Sequence, residues 1–214
     1  MRELHLLLLR HGQTDANATG VLQGQKPTAL NELGRQQADQ LATRIAAWRP
    51  SIDAIVSSDL PRAVQTAEPI AAACQVPLLL DAGWRERGFG EMEGKTVGER
   101  NTWRAATGEV DAPGAEPFAA FQERVRRAIL HVGDHAPRAA IIAVVTHGGP
   151  CRAVLGMLAD GRLPLADGQP TPAQAPIINC AIMYLVTWSD LWRVSCVNDA
   201  AHLTPTEPTD HDLG

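Results

Sequence analysis

Short apolar runs alternate with amphipathic segments along this chain. Two of these runs, His5 to Leu9 and Ala139 to Val145, consist almost entirely of leucine, isoleucine, valine and alanine. Such runs are typical of strands that are buried on both faces of a parallel sheet. Shorter apolar runs at Ile52 to Val56 and Pro77 to Leu80 could pair beside them.

Two segments between these runs repeat their apolar residues at steps of three and four, the period of a helix. They contain Ala38, Leu41, Ile45 and Trp48 in the first segment, and Phe118, Phe121, Val125, Ile129 and Val132 in the second. Strands that alternate with helices need crossover connections. We therefore predict an α/β fold, a three-layer α/β/α sandwich around a mostly parallel sheet.

The carboxyl-terminal third changes character. Two β-rich runs, "AIMYLVTW" and "LWRVSCV", are separated by Ser189 and Asp190, which predicts a hairpin of late, edge-like strands and so a mixed sheet. Residues 83–117 carry glycines and prolines with weak periodicity, and we expect a small cap over the carboxyl ends of the strands. The prediction is one domain over residues 1–203 and a flexible, polar tail over 204–214.

The composition narrows the function. The chain has 214 residues and a formal net charge of -5, which argues against general affinity for nucleic acid or for an anionic membrane. No apolar run approaches the roughly 20 residues that span a bilayer, and no leader pattern opens the chain, so we expect a cytoplasmic protein. The cysteines form no C-x-x-C pair and are interpreted as reduced thiols rather than as nucleophiles or zinc ligands.

Two histidines end the two long strands. His11 follows the first run and His147 the second, and each is followed at once by glycine, which permits positive φ and close approach of a ligand. Ligands of open α/β sheets bind at the carboxyl ends of strands. One such histidine is most often a surface or capping residue, whereas two favour a site.

The sequence "THGGPC" adds a candidate anion site. Pro150 fits the first position of a helix, which would place Gly148 and Gly149 at its amino-terminal end, with free N–H groups and the positive end of the helix dipole. The alternative is an ordinary strand-to-helix turn. Such a turn needs the glycines but not the histidine.

The sequence "SSDLPRAVQTAE" adds an arginine. Ser58 or Asp59 is expected to cap a helix, with Pro61 and Arg62 in its first turn. A cation there is opposed by the helix dipole, so Arg62 is a candidate anion ligand. A solvated surface arginine is the alternative.

The glycine-rich loop "GWRERGFGEMEG" places Glu86 between two arginines. Its glycines, Gly88, Gly90 and Gly94, miss the dinucleotide-binding spacing by one residue, and no strand leads into them, so a nicotinamide site is rejected.

His131 and His135 lie one helical turn apart, but the segment lacks the glutamate of a zinc protease motif. We interpret them as the end of a helix.

Together these segments resemble the histidine phosphatase superfamily, the phosphoglycerate mutase-like enzymes. The R-H-G motif is Arg10, His11 and Gly12, extended as "RHGQTDAN" to Asn17. The sequences "SSDLPRAVQTAE", "RERGFGEMEG", "VVTHGG" and "NDAAHL" are similar to later family segments, in the family's order, from about residue 4 to residue 203.

The resemblance implies a phosphohistidine mechanism without metal or cofactor. His11 would be the nucleophile, Glu86 the acid and base, and Arg10, Arg62 and His147 would hold the phosphoryl group in forked hydrogen bonds. Nearby arginines would keep His11 unprotonated. Further contacts to the substrate are expected from Asn17, Gln23, Gly24 and Gly148, and the side chains of Arg85 and Arg87 would favour an ionised Glu86.

Within the family, hydrolysis is favoured over mutase activity. The segment "KTVGERNTWRAATGEV" supplies only Lys95, Arg100 and Arg104, where mutases usually carry more basic residues, and Gln23 replaces a small hydroxyl residue. The alternatives are a cofactor-dependent phosphoglycerate mutase and a non-catalytic phospho-ligand binding or regulatory module. A serine hydrolase is disfavoured, because no G-x-S-x-G elbow occurs.

The expected partner is a small phosphomonoester. Trp84, Trp103, Phe89 and Met92 either line an apolar cap that suits a bulky ester or form the small core of that cap, and the second is favoured. The late strands offer an edge for a possible homodimer.

Overall fold

A mixed β-sheet runs through the centre of the protein, with helices against both faces. The computed structural model describes residues 3–135, 140–169 and 176–204. Within these ranges the strands are β1 (Leu4–Arg10), β2 (Ala54–Ser57), β3 (Leu78–Leu80), β4 (Ile141–Thr146), β5 (Ile182–Trp188) and β6 (Leu191–Asp199). The helices are α1 (Asp15–Ala18), α2 (Glu32–Ala46), α3 (Pro61–Cys74), α4 (Val97–Thr107), α5 (Phe118–His131) and α6 (Gly148–Ala159). Short 3₁₀ turns occur at Ala82–Trp84, Gly90–Met92 and Val132–His135.

The strand order is β3-β2-β4-β1-β5-β6. The first four strands in this order are parallel, whereas β5 runs antiparallel to β1 and pairs with β6 as a hairpin. This confirms the predicted mostly parallel, mixed sheet with β6 at its edge. Because β1 and β4 are neighbours, and Arg10 lies opposite Thr146, the residues that follow them emerge side by side. Those residues are His11 and His147.

The leucines of β1 show why four apolar residues occur in a row. Leu6 and Leu8 pack on one face of the sheet with α5 and α6, and Leu7 and Leu9 pack on the other with α2 and α3. All four are fully buried. Side chains alternate between the faces of a strand, so a strand covered by helices on both sides is apolar at every position.

Two predicted helix starts were wrong. Leu60, rather than Ser58 or Asp59, precedes the first residue of α3, and no side chain caps this helix. Asp59 forms an ion pair with Arg85 instead, and the Ser58 hydroxyl contacts His147. Helix α6 begins at Gly148, so Pro150 is its third residue rather than its first. Proline is tolerated there because the first four N–H groups of a helix have no intrahelical acceptor.

Most other boundaries lie within two residues of the prediction. Strand β4 extends to Thr146, one residue beyond the predicted end, and Ala139 at its predicted start lies outside the described residues. Helix α2 ends at Ala46, before Trp48, whose ring packs edge-on against Tyr184.

Residues 83–117 are tied to the loop that follows β1. Leu22 donates its N–H to the Lys95 carbonyl and accepts from the Gly94 N–H, at 2.8 Å each. Helix α4 lies in this segment and begins with a capping box formed by Thr96 and Glu99. Of the predicted tail, residues 204–214, all but Thr204 lie outside the described part of the chain. No described helix has the length and apolar character needed to cross a bilayer.

Candidate active site

His11 lies directly after β1, and its ring has one defined orientation. The Nδ1 atom lies 2.7 Å from the Gly12 carbonyl oxygen. Since a carbonyl oxygen can only accept, Nδ1 carries the hydrogen, and Nε2 of the neutral ring keeps a free lone pair. The His11 carbonyl accepts from the Asn179 side chain at 2.8 Å, which fixes the backbone as well.

Gly12 is needed for close packing rather than for an unusual backbone angle. It is not among the glycines with positive φ, and a β-carbon on it would lie 2.4 Å from the Gly34 carbonyl oxygen in α2. Of the two properties of glycine considered above, positive φ is not used at Gly12, and the close approach is to the backbone of Gly34. The backbone N–H of Gly12 donates to the Thr66 hydroxyl of α3 at 3.0 Å, so the loop that follows β1 is held between α2 and α3.

His147 lies beneath His11 and is fully buried. The two ring centroids are 5.0 Å apart in an edge-on arrangement. The Nε2 atom of His147 lies 2.8 Å from the Ser58 hydroxyl, whereas Nδ1 is buried and has no protein partner within the described residues. The two imidazole rings therefore pack directly against each other.

Two buried arginines flank His11. Arg10 ends β1 and donates from Nη1 to the Ile177 carbonyl. Arg62 donates from Nη1 to the Lys26 carbonyl and the Thr28 hydroxyl, and from Nη2 to the Gly24 carbonyl at 2.8 Å. Three of its five N–H groups are thus used to hold the loop, while Nε–H is buried without a partner among the described residues.

The surroundings keep both histidines neutral. Burial lowers the pKa of His11 well below its ordinary value, and the charges of Arg62 and Arg10 lower it further. Burial likewise lowers the pKa of His147, with added effects of Arg62, His11 and Arg10. Burial also lowers the pKa of Arg62, to about 10, which leaves this guanidinium charged at neutral pH. The site therefore combines permanent positive charge with an unprotonated imidazole.

The Glu86 carboxylate is held by two backbone N–H groups. Its Oε1 accepts from the Arg87 N–H at 2.8 Å, and its Oε2 accepts from the Gly149 N–H at 2.9 Å, at the start of α6. We predicted that the side chains of Arg85 and Arg87 would favour an ionised Glu86, but both are directed to other carboxylates. The Arg85 guanidinium pairs with Asp59, and that of Arg87 pairs with Asp111.

Arg124, in α5, was not recognised from the sequence. Its guanidinium donates to the carbonyl oxygens of Gly83 and Arg85 at 2.9 Å each and to that of Glu86 at 3.3 Å, and it pairs with Glu116. One side chain thus fixes the loop that carries Glu86. A single arginine on an amphipathic helix gives no sequence signal for this role.

These groups surround a small pocket of about 70 Å³. The predicted site residues that line it are Arg10, His11, Asn17, Gln23, Gly24, Arg62, Glu86 and Gly148. Asn17 uses its side-chain oxygen to cap α1, and the Gln23 oxygen accepts from the Thr28 hydroxyl. The Gly148 N–H is the first of α6, so it has no intrahelical acceptor. Arg100 and Arg152 also line the pocket, and the second was not singled out from the sequence.

The aromatic residues of the 83–117 segment have different environments. Trp84 is fully buried in the main core, against α5 and α6. Phe89 lines the pocket, while Met92 and Trp103 are half-buried beside it. The segment is thus partly core and partly pocket wall, so neither interpretation held for all of these residues.

No metal-binding cluster of His, Cys, Asp and Glu occurs among the described residues. His131 pairs with Asp134 at 3.1 Å, and the side chain of His135 lies outside the described part of the structure. Cys74, Cys151, Cys180 and Cys196 are free thiols.

Comparisons with known proteins agree with this geometry. The sequence model of the histidine phosphatase superfamily (branch 1) matches residues 6–200. A probable phosphoglycerate mutase from Escherichia coli is 34% identical over 215 residues, covering 94% of this chain and 95% of the relative. A mycobacterial glucosyl-3-phosphoglycerate phosphatase superposes with a TM-score of 0.73 at 30% identity, covering 92% of this chain and 99% of that one.

A third similar protein is phosphoserine phosphatase from Entamoeba histolytica, solved in complex with 3-phosphoglyceric acid. It superposes with a TM-score of 0.72 at 26% identity, covering 94% of this chain and all of that one. The family match spans most of the chain and includes four of the five segments on which the resemblance was based, together with the first half of the fifth, "NDAAHL". This protein belongs to branch 1 of the histidine phosphatase superfamily and has the phosphoglycerate mutase-like fold.

Proposed function

We propose that this protein is a metal-independent phosphomonoesterase that hydrolyses a small phosphorylated metabolite through a phosphohistidine on His11. The observation that carries the proposal is the orientation of the His11 ring. Its Nδ1–H is bound by the Gly12 carbonyl, so the free Nε2 is the nucleophilic atom. Arg10, Arg62 and Glu86 line the same pocket.

In the first step, Nε2 of His11 attacks phosphorus and the bond from phosphorus to the ester oxygen breaks. The departing oxygen takes a proton from the Glu86 carboxyl, which enters this step protonated. Arg10 and Arg62 stabilise the charge on the equatorial oxygens. Two steps are easier than one direct displacement by water, because the imidazole of His11 is a strong nucleophile in the first step and a good leaving group in the second.

In the second step, water attacks the phosphohistidine. The Glu86 carboxylate takes a proton from this water as the new phosphorus–oxygen bond forms and the phosphorus–nitrogen bond breaks. The products are inorganic phosphate and neutral His11, with Glu86 protonated again for the next cycle. The two backbone N–H groups that hold Glu86 keep its carboxylate in one place through both steps.

Arg62 keeps the donors for a forked grip on the phosphoryl group. Three of its five N–H groups hold the 24–28 loop, which leaves the buried Nε–H and one Nη2–H to meet the phosphoryl oxygens. The Gly148 N–H adds a further donor. These positive groups supply the charge stabilisation for which other phosphatases use a metal ion.

His147 is assigned a supporting role. The Ser58 hydroxyl oxygen accepts from the Leu60 N–H at 3.3 Å and can donate its own hydrogen to Nε2 of His147. That arrangement places the imidazole hydrogen of His147 on Nδ1, the buried atom without a partner. We propose that this N–H completes the phosphoryl site and that residues 83–117 act as its cap within one domain.

The test is hydrolysis of an aryl phosphate in excess chelator, comparing wild type with His11→Ala. We expect chelator-resistant activity that falls by several orders of magnitude in the variant, with an unchanged far-ultraviolet circular dichroism spectrum. An inactive wild type would favour the binding-module interpretation. A variant that keeps most of its activity would refute His11 as nucleophile.

A mutase is the second candidate, because the Escherichia coli relative bears that name. The two phosphatases among the similar structures favour hydrolysis. Incubation with 3-phosphoglycerate and a bisphosphorylated primer decides between them. Release of inorganic phosphate without isomerisation supports the phosphatase, whereas rapid isomerisation without release supports the mutase.

A further inference from the structure

A wide groove opens directly beside the catalytic pocket. It measures about 580 Å³, against about 70 Å³ for the pocket itself. The pocket is large enough for a phosphoryl group, whereas the groove falls in the range that holds organic ligands. Glu86, Phe89, Arg100 and Arg152 line both, so the two spaces are continuous.

Arginines outnumber the one carboxylate, Glu86, where the two spaces meet. Within the described ranges, the side chains of Arg100 in α4 and Arg152 in α6 form no hydrogen bond or ion pair, and the Nε atoms of Arg100 and Arg104 are buried without acceptors. Burial lowers the pKa of Arg100, and the charges of Arg104, Arg152 and Arg87 lower it further, against a smaller opposing effect of Glu86. An arginine left unpaired in such surroundings gains most from an anion that it can bind.

Part of the lining of the groove is apolar. Phe118 and Phe121 contribute their rings from α5, and Ala153 and Gly156 contribute the small residues of α6. Phe118 is 43% exposed, although the Arg87 guanidinium lies over its ring at 5.4 Å. The groove therefore combines guanidinium groups with exposed apolar surface.

We infer that this groove binds the leaving group of the substrate, and that this leaving group carries a second anionic group, held by Arg100 and Arg152, next to an apolar portion that packs on Phe118. The inference rests on the proposed function and names its substrate class. Glu86 stands at the boundary of pocket and groove, where the ester oxygen would be protonated. The alcohol part of the ester must then extend into the groove.

The test uses two esters of the same shape, 4-carboxyphenyl phosphate and 4-carbamoylphenyl phosphate. We expect wild type to prefer the carboxylate ester by about tenfold or more in kcat/KM, the usual effect of one charge-assisted hydrogen bond. Arg100→Gln and Arg152→Gln should each bring this ratio close to one. Lys95→Gln is the control, because Lys95 belongs to the same segment but pairs with Glu99 and does not line the groove.

Binding of the two product alcohols, 4-hydroxybenzoate and 4-hydroxybenzamide, is measured in parallel by calorimetry. Wild type should bind the acid at least about tenfold more tightly, and Arg100→Gln should remove the difference. If neither ester is hydrolysed but the acid still binds preferentially, the proposed function fails and the anion site stands. If both esters are hydrolysed equally well and both alcohols bind alike, the anion site is refuted and the phosphatase stands. Should Arg152→Gln not fold, Arg100→Gln in the outer helix α4 decides alone.

Discussion

The carboxylate of Glu86 accepts a hydrogen bond from the Gly149 N–H at 2.9 Å, which joins the loop after β3 to the first turn of α6. A second backbone N–H, from Arg87, binds the other carboxylate oxygen. The proposed acid and base is therefore positioned by main-chain groups. Gly149 also makes room for it, because a β-carbon on this residue would lie 1.9 Å from Oε1 of Glu86.

Gly149→Ala should displace the Glu86 carboxylate and lower kcat by about a hundredfold, the usual value of a positioned acid and base. The loss should be greater for an alkyl phosphate than for an activated aryl phosphate, whose leaving group needs less protonation. Gly98→Ala is the matched control, since its β-carbon would meet only the Thr96 hydroxyl, at 3.8 Å. Activity of Gly149→Ala within twofold of wild type on both esters would contradict this role.

Arg124→Gln should lower kcat by about tenfold with a smaller change in KM. The guanidinium holds three carbonyls of the loop that carries Glu86, and its loss frees the acid to move without removing a phosphoryl contact. Steady-state kinetics on alkyl and aryl esters checks this, with Arg127→Gln, an exposed arginine of the same helix, as control. If kcat stays at the wild-type value for both esters and only the thermal midpoint of unfolding falls, Arg124 has a purely structural role.

The two buried histidines should make the fold sensitive to mild acid. Both have pKa values lowered by burial, so they stay neutral in the folded state while the unfolded chain takes up protons below about pH 6.5. The unfolded state then binds more protons, and stability rises with pH up to about 6.5 and is lost below it. Below that pH the two histidines should give the unfolding free energy a positive slope of at most about 2.7 kcal/mol per pH unit, about 1.4 for each histidine.

Urea unfolding between pH 5 and 7 measures this slope. His11→Gln should reduce it by about half, whereas His131→Gln, which removes an exposed histidine, should leave it as in wild type. The lowered pKa of His11 should also affect activity: the acid limb of the pH profile of kcat/KM should lie below pH 6.5, the ordinary pKa of histidine, because the imidazole stays neutral and nucleophilic. An equal slope in His11→Gln and wild type would show that the ring is not kept neutral by the fold.

The sequence was sufficient for the strands and for helices α2, α3, α5 and α6, but it did not predict α1 or α4. Continuous apolar runs identified β1 and β4, and their adjacency in a parallel sheet brings His11 and His147 together. Local rules of helix capping were less reliable at the site. Asp59 is used by Arg85, and Ser58 by His147, so tertiary contacts override the caps that these residues would form in isolation.

Side-chain direction was the part that sequence could not supply. Arg85 and Arg87 flank Glu86 in the chain, yet their guanidinium groups pair with Asp59 and Asp111. Conversely, Arg124 lies far from the motifs in sequence and holds the loop of Glu86 from α5, while Arg152, three residues after Gly149, reaches the pocket from α6. Sequence patterns relate residues that are close along the chain, whereas this site also contains residues that come together only in the folded protein.

The most direct test of the central claim is to quench the reaction with an aryl phosphate during turnover and to locate the phosphoryl group by peptide mass spectrometry. The account predicts an acid-labile, alkali-stable phosphate on the peptide that contains His11. It should be absent in His11→Ala and should accumulate in Glu86→Gln, where the activation of water is slowed. A phosphate on any other residue, or steady hydrolysis with no labelled peptide in Glu86→Gln, would contradict the phosphohistidine mechanism.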